Sequence, residues 1–336
     1  MTVGGVNLNE KNKANGNNFS DISVSALLNA EFEYPVQNPV LKPFDSLVVA
    51  DPSLLTPDGC HDGKWHMFFH TNIGIYHFVS DDGIKFTRVK RLVLNAMRPN
   101  INYVDGKYYL FFEKTRSLIA SGLSLINLAK WKSEIQVMES TDFINWTKPR
   151  TVIKHTKSIE RADKGYSLSN PFLLRENGEN RLYYSCGLTF IDDCGFSEPT
   201  YITYAKSRHV ADSYFASAQP ILKPDKNNPY LNLCSGCLKV YRMSDGYVGI
   251  QNGIYEKDGK SHSAILMLTS DDGLKFRFAR VLVEPAMFDG ADWMKQFVYA
   301  SHLVRYKDEL RLYFNGRDTS DMIRGRECIG FIRAKI

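Results

Sequence analysis

ADPSLL at Ala50–Leu55, DGKWHMFFH at residues 62–70 and IYHFVSDDGIKFTRVKRLV at residues 75–93 spell one unit: an apolar strand, a turn, an aromatic strand, a third strand and a charged hairpin. The unit returns as RPNINYVDGKYYLFFEK and EIQVMESTDFINWTKPRTVI from Arg98, and as SGCLKVYRMSDGYVGIQN and AILMLTSDDGLKFRFARVLV from Ser235. Looser copies are SNPFLLRENGENRLYYSCG from Ser169 and YASHLVRYKDELRLYFNGRD from Tyr299. Self-similarity at roughly 45 to 70 residues, with three or four short strands per unit, predicts an all-β, five-bladed β-propeller.

The flanks say how the ring closes. The fifth unit ends after three strands, whereas the segment from residue 32 carries NPVLKP at residues 38–43, a match to the outer strands KRLVLN, AQPILKP and ARVLVEP. An N-terminal strand that completes the last blade removes an otherwise free sheet edge. Residues 1–30 are expected to be a polar extension, partly disordered, and residues 31–336 a single propeller domain.

Composition narrows the function. Forty-two Lys and Arg against 37 Asp and Glu give a net charge of +5. That charge is spread along the chain with no basic run interleaved with aromatics, so no nucleic-acid partner is expected. The first residues, MTVGGVNLNEKNKANGNN, lack a signal-peptide core, and no apolar run reaches the length of a membrane span, so a cytoplasmic location with no membrane partner is expected. Oligomeric state is not legible. Six cysteines in such a chain are expected to be free; Cys234 and Cys237 form a CxxC without a second ligand pair at zinc-finger spacing, which favours packed thiols.

The repeated SDDGIKF and SDDGLKF hairpins, with Asp82-Gly83 and Asp272-Gly273, invite a calcium or acid–base reading. Turn chemistry repeated with the fold explains them better. In an up-and-down blade, these turns share one face. The start of each first strand, the second-to-third loop and the interblade loop share the other, where the more varied residues fall. Reading that face by blade yields Asp51, His70 and Asn72; Arg98, Asn100, Glu113 and Arg116; Asn170 with Asp192, Asp193 and Glu198; Ser235, Gln251 and Asn252; and Tyr299, His302, Asn315, Arg317 and Asp318. Carboxylates, amides, guanidinium groups and aromatics together suit a polyhydroxylated ligand, so carbohydrate is the expected partner.

These motifs, in order over residues 32–336, resemble the five-bladed propeller superfamily that includes glycoside hydrolase families 43, 32, 62, 68, 117 and 130. The resemblance rests on ADPSLL, the DGKYYLFF-type strand pairs, the SDDGIKF-type hairpins and LYFNGRD followed by IGFIRAK. It implies a carbohydrate-active enzyme, a glycosidase that hydrolyses a glycosidic bond with carboxylates at the mouth of the axis. Asp51 matches the base of family 43. The second Asp position falls on Asn170 and the Glu position on or beside Ser235, so two of that family's three carboxylates are absent. Glycoside cleavage needs two carboxyl groups, one kept protonated. Glu113, at the end of an aromatic strand on the same face, is the leading acid candidate, followed by Glu198 and Asp192. His70, Asn72, Arg98, Asn100, Arg116, Asn170, Ser235, Gln251, Tyr299, His302, Asn315 and Arg317 are the expected substrate contacts.

No cofactor is required by this chemistry. The resemblance implies a structural calcium or sodium ion on the axis, with His302 as its ligand. Two alternatives stay open: a catalytically degenerate glycan-binding propeller, motivated by the missing carboxylates, and a glycoside phosphorylase, for which Arg98, Arg116 and Arg317 would receive phosphate. A protein–protein scaffold is more distant, because the usual WD-type repeat pairs are absent.

Overall fold

The computed structural model describes residues 19–117, 119, 122–123, 129–162, 165–321 and 323–336. Five blades surround an axis, as the repeat predicts. Blade one is Ala50–Leu55, Trp65–His70, Gly74–Ser80 and Thr87–Leu94, paired in that order and antiparallel throughout. Blade two follows with Ala96–Val104, Lys107–Thr115, Trp131–Ser140 and Arg150–Ile153. Blade three uses Leu168–Glu176, Glu179–Cys186, Tyr201–Ser207 and Phe215–Ala216, and inserts a small hairpin, Thr189–Ile191 with Phe196–Glu198, between its second and third strands. Blade four is Leu238–Arg242, Tyr247–Lys257, Lys260–Ser270 and Arg277–Val283.

Blade five has three strands, Phe297–Tyr306, Glu309–Arg317 and Glu327–Lys335. The N-terminal segment supplies the fourth: Glu33 bridges Arg333 and Leu41 bridges Ile329, both antiparallel. That segment is joined by bridges rather than a continuous ladder, because Pro35, Pro39 and Pro43 interrupt its donors. The first strands touch in a closed cycle from blade one to blade five and back. A short helix, Val24–Leu28, is capped by the Ser23 hydroxyl, which accepts from the Ala26 N–H. No helix among the described residues is long and apolar enough to cross a membrane.

The blades hold together through their faces. Leu55, Phe68 and Ile75 of blade one pack with Ile101, Tyr108, Leu110 and Phe112 of blade two. Trp65, Met67, Phe69 and Tyr76 pack with Tyr313, Ile329 and Phe331 of blade five. Each such side chain, removed from water, contributes about 1.5–3 kcal/mol before entropy is counted. The DG hairpins add polar stitches: Asp82 accepts from the Ile84 and Lys85 N–H groups while the Tyr313 hydroxyl of the neighbouring blade donates to the Gly83 carbonyl. Asp272, Gly273 and Tyr183 repeat the arrangement between blades three and four. The repeated aspartates therefore work as turn residues and interblade ties.

Candidate active site

One backbone device, used four times, aims side chains at the axis. Asp51, Arg98 and Asn170 each precede a proline, and their φ angles are +53°, +54° and +49°. Each sits at a register break in the first strand of its blade, between Ala50 and Ser53, Met97 and Asn100, and Ser169 and Phe172. A left-handed non-glycine residue costs about 1–3 kcal/mol, which the packed blades hold in place. In blade four the equivalent residue is Gly236, with φ +57°, where a Cβ would stand 2.2 Å from the Asn252 carbonyl oxygen. No side chain fits there. Ser235 beside it is buried, and its N–H donates to the Thr200 carbonyl.

These residues line a cavity of about 360 Å3 at the mouth of the axis. Of the expected site residues, Asp51, His70, Asn72, Arg98, Asn170, Tyr299, Asn315 and Arg317 are on its wall. Asn100, Ser235, Gln251 and His302 are not: all four are buried behind it. Asn100 Oδ1 accepts from the Leu173 N–H of blade three, and Gln251 Nε2 donates to the Ser235 carbonyl, so these two amides brace the ring. Arg116 is exposed and outside the wall.

Three carboxyl groups meet in the cavity. Asp51 accepts from His70 Nε2 at 2.6 Å, and its backbone N–H donates to Asn315 Oδ1. Burial alone would raise its pKa, but the hydrogen bond and charge of His70, with Arg98 and Lys239, hold it below the ordinary carboxylate value. Glu198 comes from the blade-three insertion, and its side chain lines the same cavity. Burial pushes its pKa up to about 7; Arg98 opposes the rise, while Asp51, Glu327 and Glu113 add to it. Glu327, on the last strand of blade five, accepts from Asn315 Nδ2 and Arg317 Nη1. Burial raises it too, against Arg317.

Glu113, expected as the acid, is committed elsewhere. Its side chain is 0% exposed, and it accepts from Arg98 Nη1 at 2.5 Å and from Trp131 Nε1 at 2.9 Å. Both carboxylate oxygens are thus engaged, one by a guanidinium group and one by an indole N–H. The hairpin register sets Met97 opposite Glu113, and it is the break between Met97 and Asn100 that brings Arg98 to the carboxylate. Of the three arginines considered for phosphate, Arg98 and Arg317 both line the cavity; Arg317 is bound to Glu327 and to the Thr319 and Asp321 carbonyls, and Arg98 to Glu113.

The axis beneath Asp51 does not suit a calcium or sodium ion. His302 Nδ1 accepts from the Leu54 N–H at 2.8 Å, so its proton is on Nε2, which is buried and points at no acceptor among the described residues. Lys239, 5% exposed, brings an ammonium group to the same region, 5.6 Å from the centre of the Phe172 ring. Burial, with the Lys239 charge adding, lowers the His302 pKa to about 3. A hard cation wants six or more oxygen ligands, whereas the axis offers an N–H donor and a positive charge.

Among the carboxylates not anticipated, Glu327 gave no local signal in ECIGFIRAKI. Asp193 of the same insertion as Glu198 is structural, accepting from the Ser261 N–H and hydroxyl.

No family model matches the chain, and no curated protein sequence matches it. Solved structures do. The catalytic domain of a Coprinopsis cinerea family 62 α-L-arabinofuranosidase superposes with a TM-score of 0.63 at 16% identity, covering 91% of this chain and 98% of that one. An exo-1,5-α-L-arabinanase from a bovine ruminal metagenomic library gives 0.58 at 14% identity, with 86% and 94% covered. An N-acetylgalactosamine deacetylase from F. plautii, in complex with blood group B trisaccharide, gives 0.63 at 11% identity, with 96% and 95% covered. At these identities the likeness concerns architecture: the chain has the five-bladed propeller fold found among glycoside hydrolases, as its repeats and motifs led one to expect.

Proposed function

We propose that this protein is a carbohydrate-active enzyme that cleaves a glycosidic bond, with Asp51 as general base or stabilising carboxylate and Glu198 as general acid. One observation carries the reading. Two carboxyl groups line a single cavity, and their surroundings push their pKa values in opposite directions, one below its ordinary value and one to about 7. Between them, one group stays ionised and the other holds a proton near neutral pH, the division that glycoside cleavage requires. The carbohydrate-acting proteins that share the fold support the same substrate class.

Glu113 then has a different task from the one expected: it fixes Arg98 so that the remaining guanidinium N–H groups face the cavity, where they can meet substrate hydroxyls. His70 orients Asp51, and Tyr299 supplies an apolar face. A panel of aryl glycosides and oligosaccharides, assayed with and without phosphate, tests the proposal. Release of free sugar that needs no phosphate and is lost in Asp51→Asn supports hydrolysis; phosphate-dependent turnover would indicate phosphorolysis. A glycan bound at this face and recovered intact at high enzyme concentration would overturn the enzymatic reading in favour of a binding module.

A further inference from the structure

On the face opposite the cavity, the connection between the first two strands of blade one gathers three metal-capable side chains. The chain leaves Ala50–Leu55, makes a single 3-10 turn at Pro57–Gly59 and enters Trp65–His70. Within that span, donor atoms of Cys60, Asp62 and His66 all lie within 4.8 Å of one another. His66 stands four residues before His70 on the same strand, about 13 Å from the cavity end at strand rise. The cluster is therefore separate from the catalytic carboxylates.

Its geometry is prepared from behind. His66 is 2% exposed, and its ring stacks on Phe143 of blade two at 3.9 Å between centroids. Its Nδ1 lies 2.8 Å from His77 Nε2, and its Nε2 faces Asp62 Oδ1 at 2.9 Å. His77 is buried, stacks on Phe68 at 4.5 Å between centroids and backs His66, and its Nδ1 has no partner among the described residues. In a metal-bound form His66 Nδ1–H would donate to His77 Nε2, turning the Nε2 lone pair toward the space shared with Asp62 and Cys60. His66 Nε2 and Asp62 Oδ1 stand in hydrogen-bond contact at 2.9 Å, and a metal ion bound there would take the place of the proton between them. The Asp62 side chain is 34% exposed, which leaves the space open to solvent.

We propose that Cys60 Sγ, the Asp62 carboxylate and His66 Nε2 bind a zinc ion, with water as the fourth ligand. Thiolate, imidazole and carboxylate on a short loop are the donors of a tetrahedral zinc site, and the thiol excludes calcium or magnesium. His77 is the outer partner that sets the ligating tautomer of His66. Binding releases the Cys60 proton to solvent and changes no oxidation state. The ion would pin the 56–64 turn to blade one at its seam with blade two, where Tyr108 and Phe143 stack. The CxDxxxH spacing of these residues is unlike a zinc finger, and the buried CxxC of Cys234 and Cys237 is not part of it.

The test uses the full-length protein stripped with a chelator and titrated with cobalt(II), then with zinc against a chromophoric chelator. The expected result is one metal per chain, a near-ultraviolet thiolate-to-cobalt charge-transfer band, and a higher melting temperature for the zinc form. Cys60→Ser loses the band, Asp62→Asn weakens zinc binding at least tenfold, and His77→Phe weakens it about 10- to 100-fold. His209→Ala, on an exposed histidine, leaves binding unchanged. Should Cys60→Ser fail to fold, Asp62→Asn at its partly exposed position still decides. Absence of the band in the folded wild type, or zinc affinity unchanged in Asp62→Asn and His77→Phe, overturns the site.

Discussion

Replacing Glu198 by Gln keeps the shape of the side chain and removes its proton chemistry, so the consequences can be worked out in advance. With a pKa of about 7, the carboxyl group is about 90% protonated at pH 6, whereas an ordinary glutamate at 4.5 would be about 3% protonated. The wild-type kcat/KM should therefore hold through pH 6 and fall about tenfold per pH unit above 7, as the acid is lost. Asp51, held below its ordinary value, places the opposing limb under about pH 4. Glu198→Gln should lose about 10²–10⁴-fold on substrates with poor leaving groups and much less on activated aryl glycosides, and its alkaline limb should disappear.

Stability should move the other way. The folded-state pKa of Glu198 is raised, so its carboxyl group favours folding fully below its unfolded value near 4.5, and that contribution is lost as pH rises through about 7. Ionising it in place forfeits up to about 3 kcal/mol. Above pH 8, Glu198→Gln should melt at a higher temperature than wild type, while near pH 4 the two should coincide. Rate profiles with alkyl and dinitrophenyl glycosides, plus melting curves from pH 4 to 9, check both halves. A variant that keeps wild-type rates and the alkaline limb on poor leaving groups would refute the assignment of the acid.

Three further outcomes follow from the geometry. Glu113→Gln leaves the Arg98 guanidinium buried beside a neutral amide, and thermal denaturation should show a loss of about 3 kcal/mol with a rise in KM as Arg98 loses its anchor. Lys239→Met removes an attraction that helps keep Asp51 ionised; the acid limb of kcat/KM, lost as pH falls through the Asp51 value, should move to higher pH, and an unchanged limb would show that Lys239 does not act on Asp51. Gly236→Ala combines a left-handed backbone with a Cβ 2.2 Å from the Asn252 carbonyl oxygen, and should destabilise the fold by more than about 2 kcal/mol in urea denaturation.

The pattern ADPSLL, MRPNIN and SNPFLL already carried the placement of Asp51, Arg98 and Asn170 at the starts of the first strands, because the strand start repeats with the blade, whereas their left-handed backbone is held by the packed blades. Strand identity, blade count and the face proposed for the site were local in the same sense, set by period-2 alternation and turn residues. The proposed general acid was not. Glu113 and Glu198 both stood on the right face, and what separates them is that Arg98 and Trp131 reach Glu113, whereas Glu198 is half-buried near three other carboxyl groups drawn from three blades. Glu327 had no signal at all, since its role depends on Arg317 and Asn315 of the neighbouring strand. Cys60, Asp62 and His66 lie close in sequence, yet their convergence depends on the turn and on the His77 and Phe143 rings behind them. Sequence alone determined the ring and the residues that could face its axis; the tertiary structure decided which carboxyl group keeps a proton, because a pKa is set by desolvation and by charges summed through space across several blades.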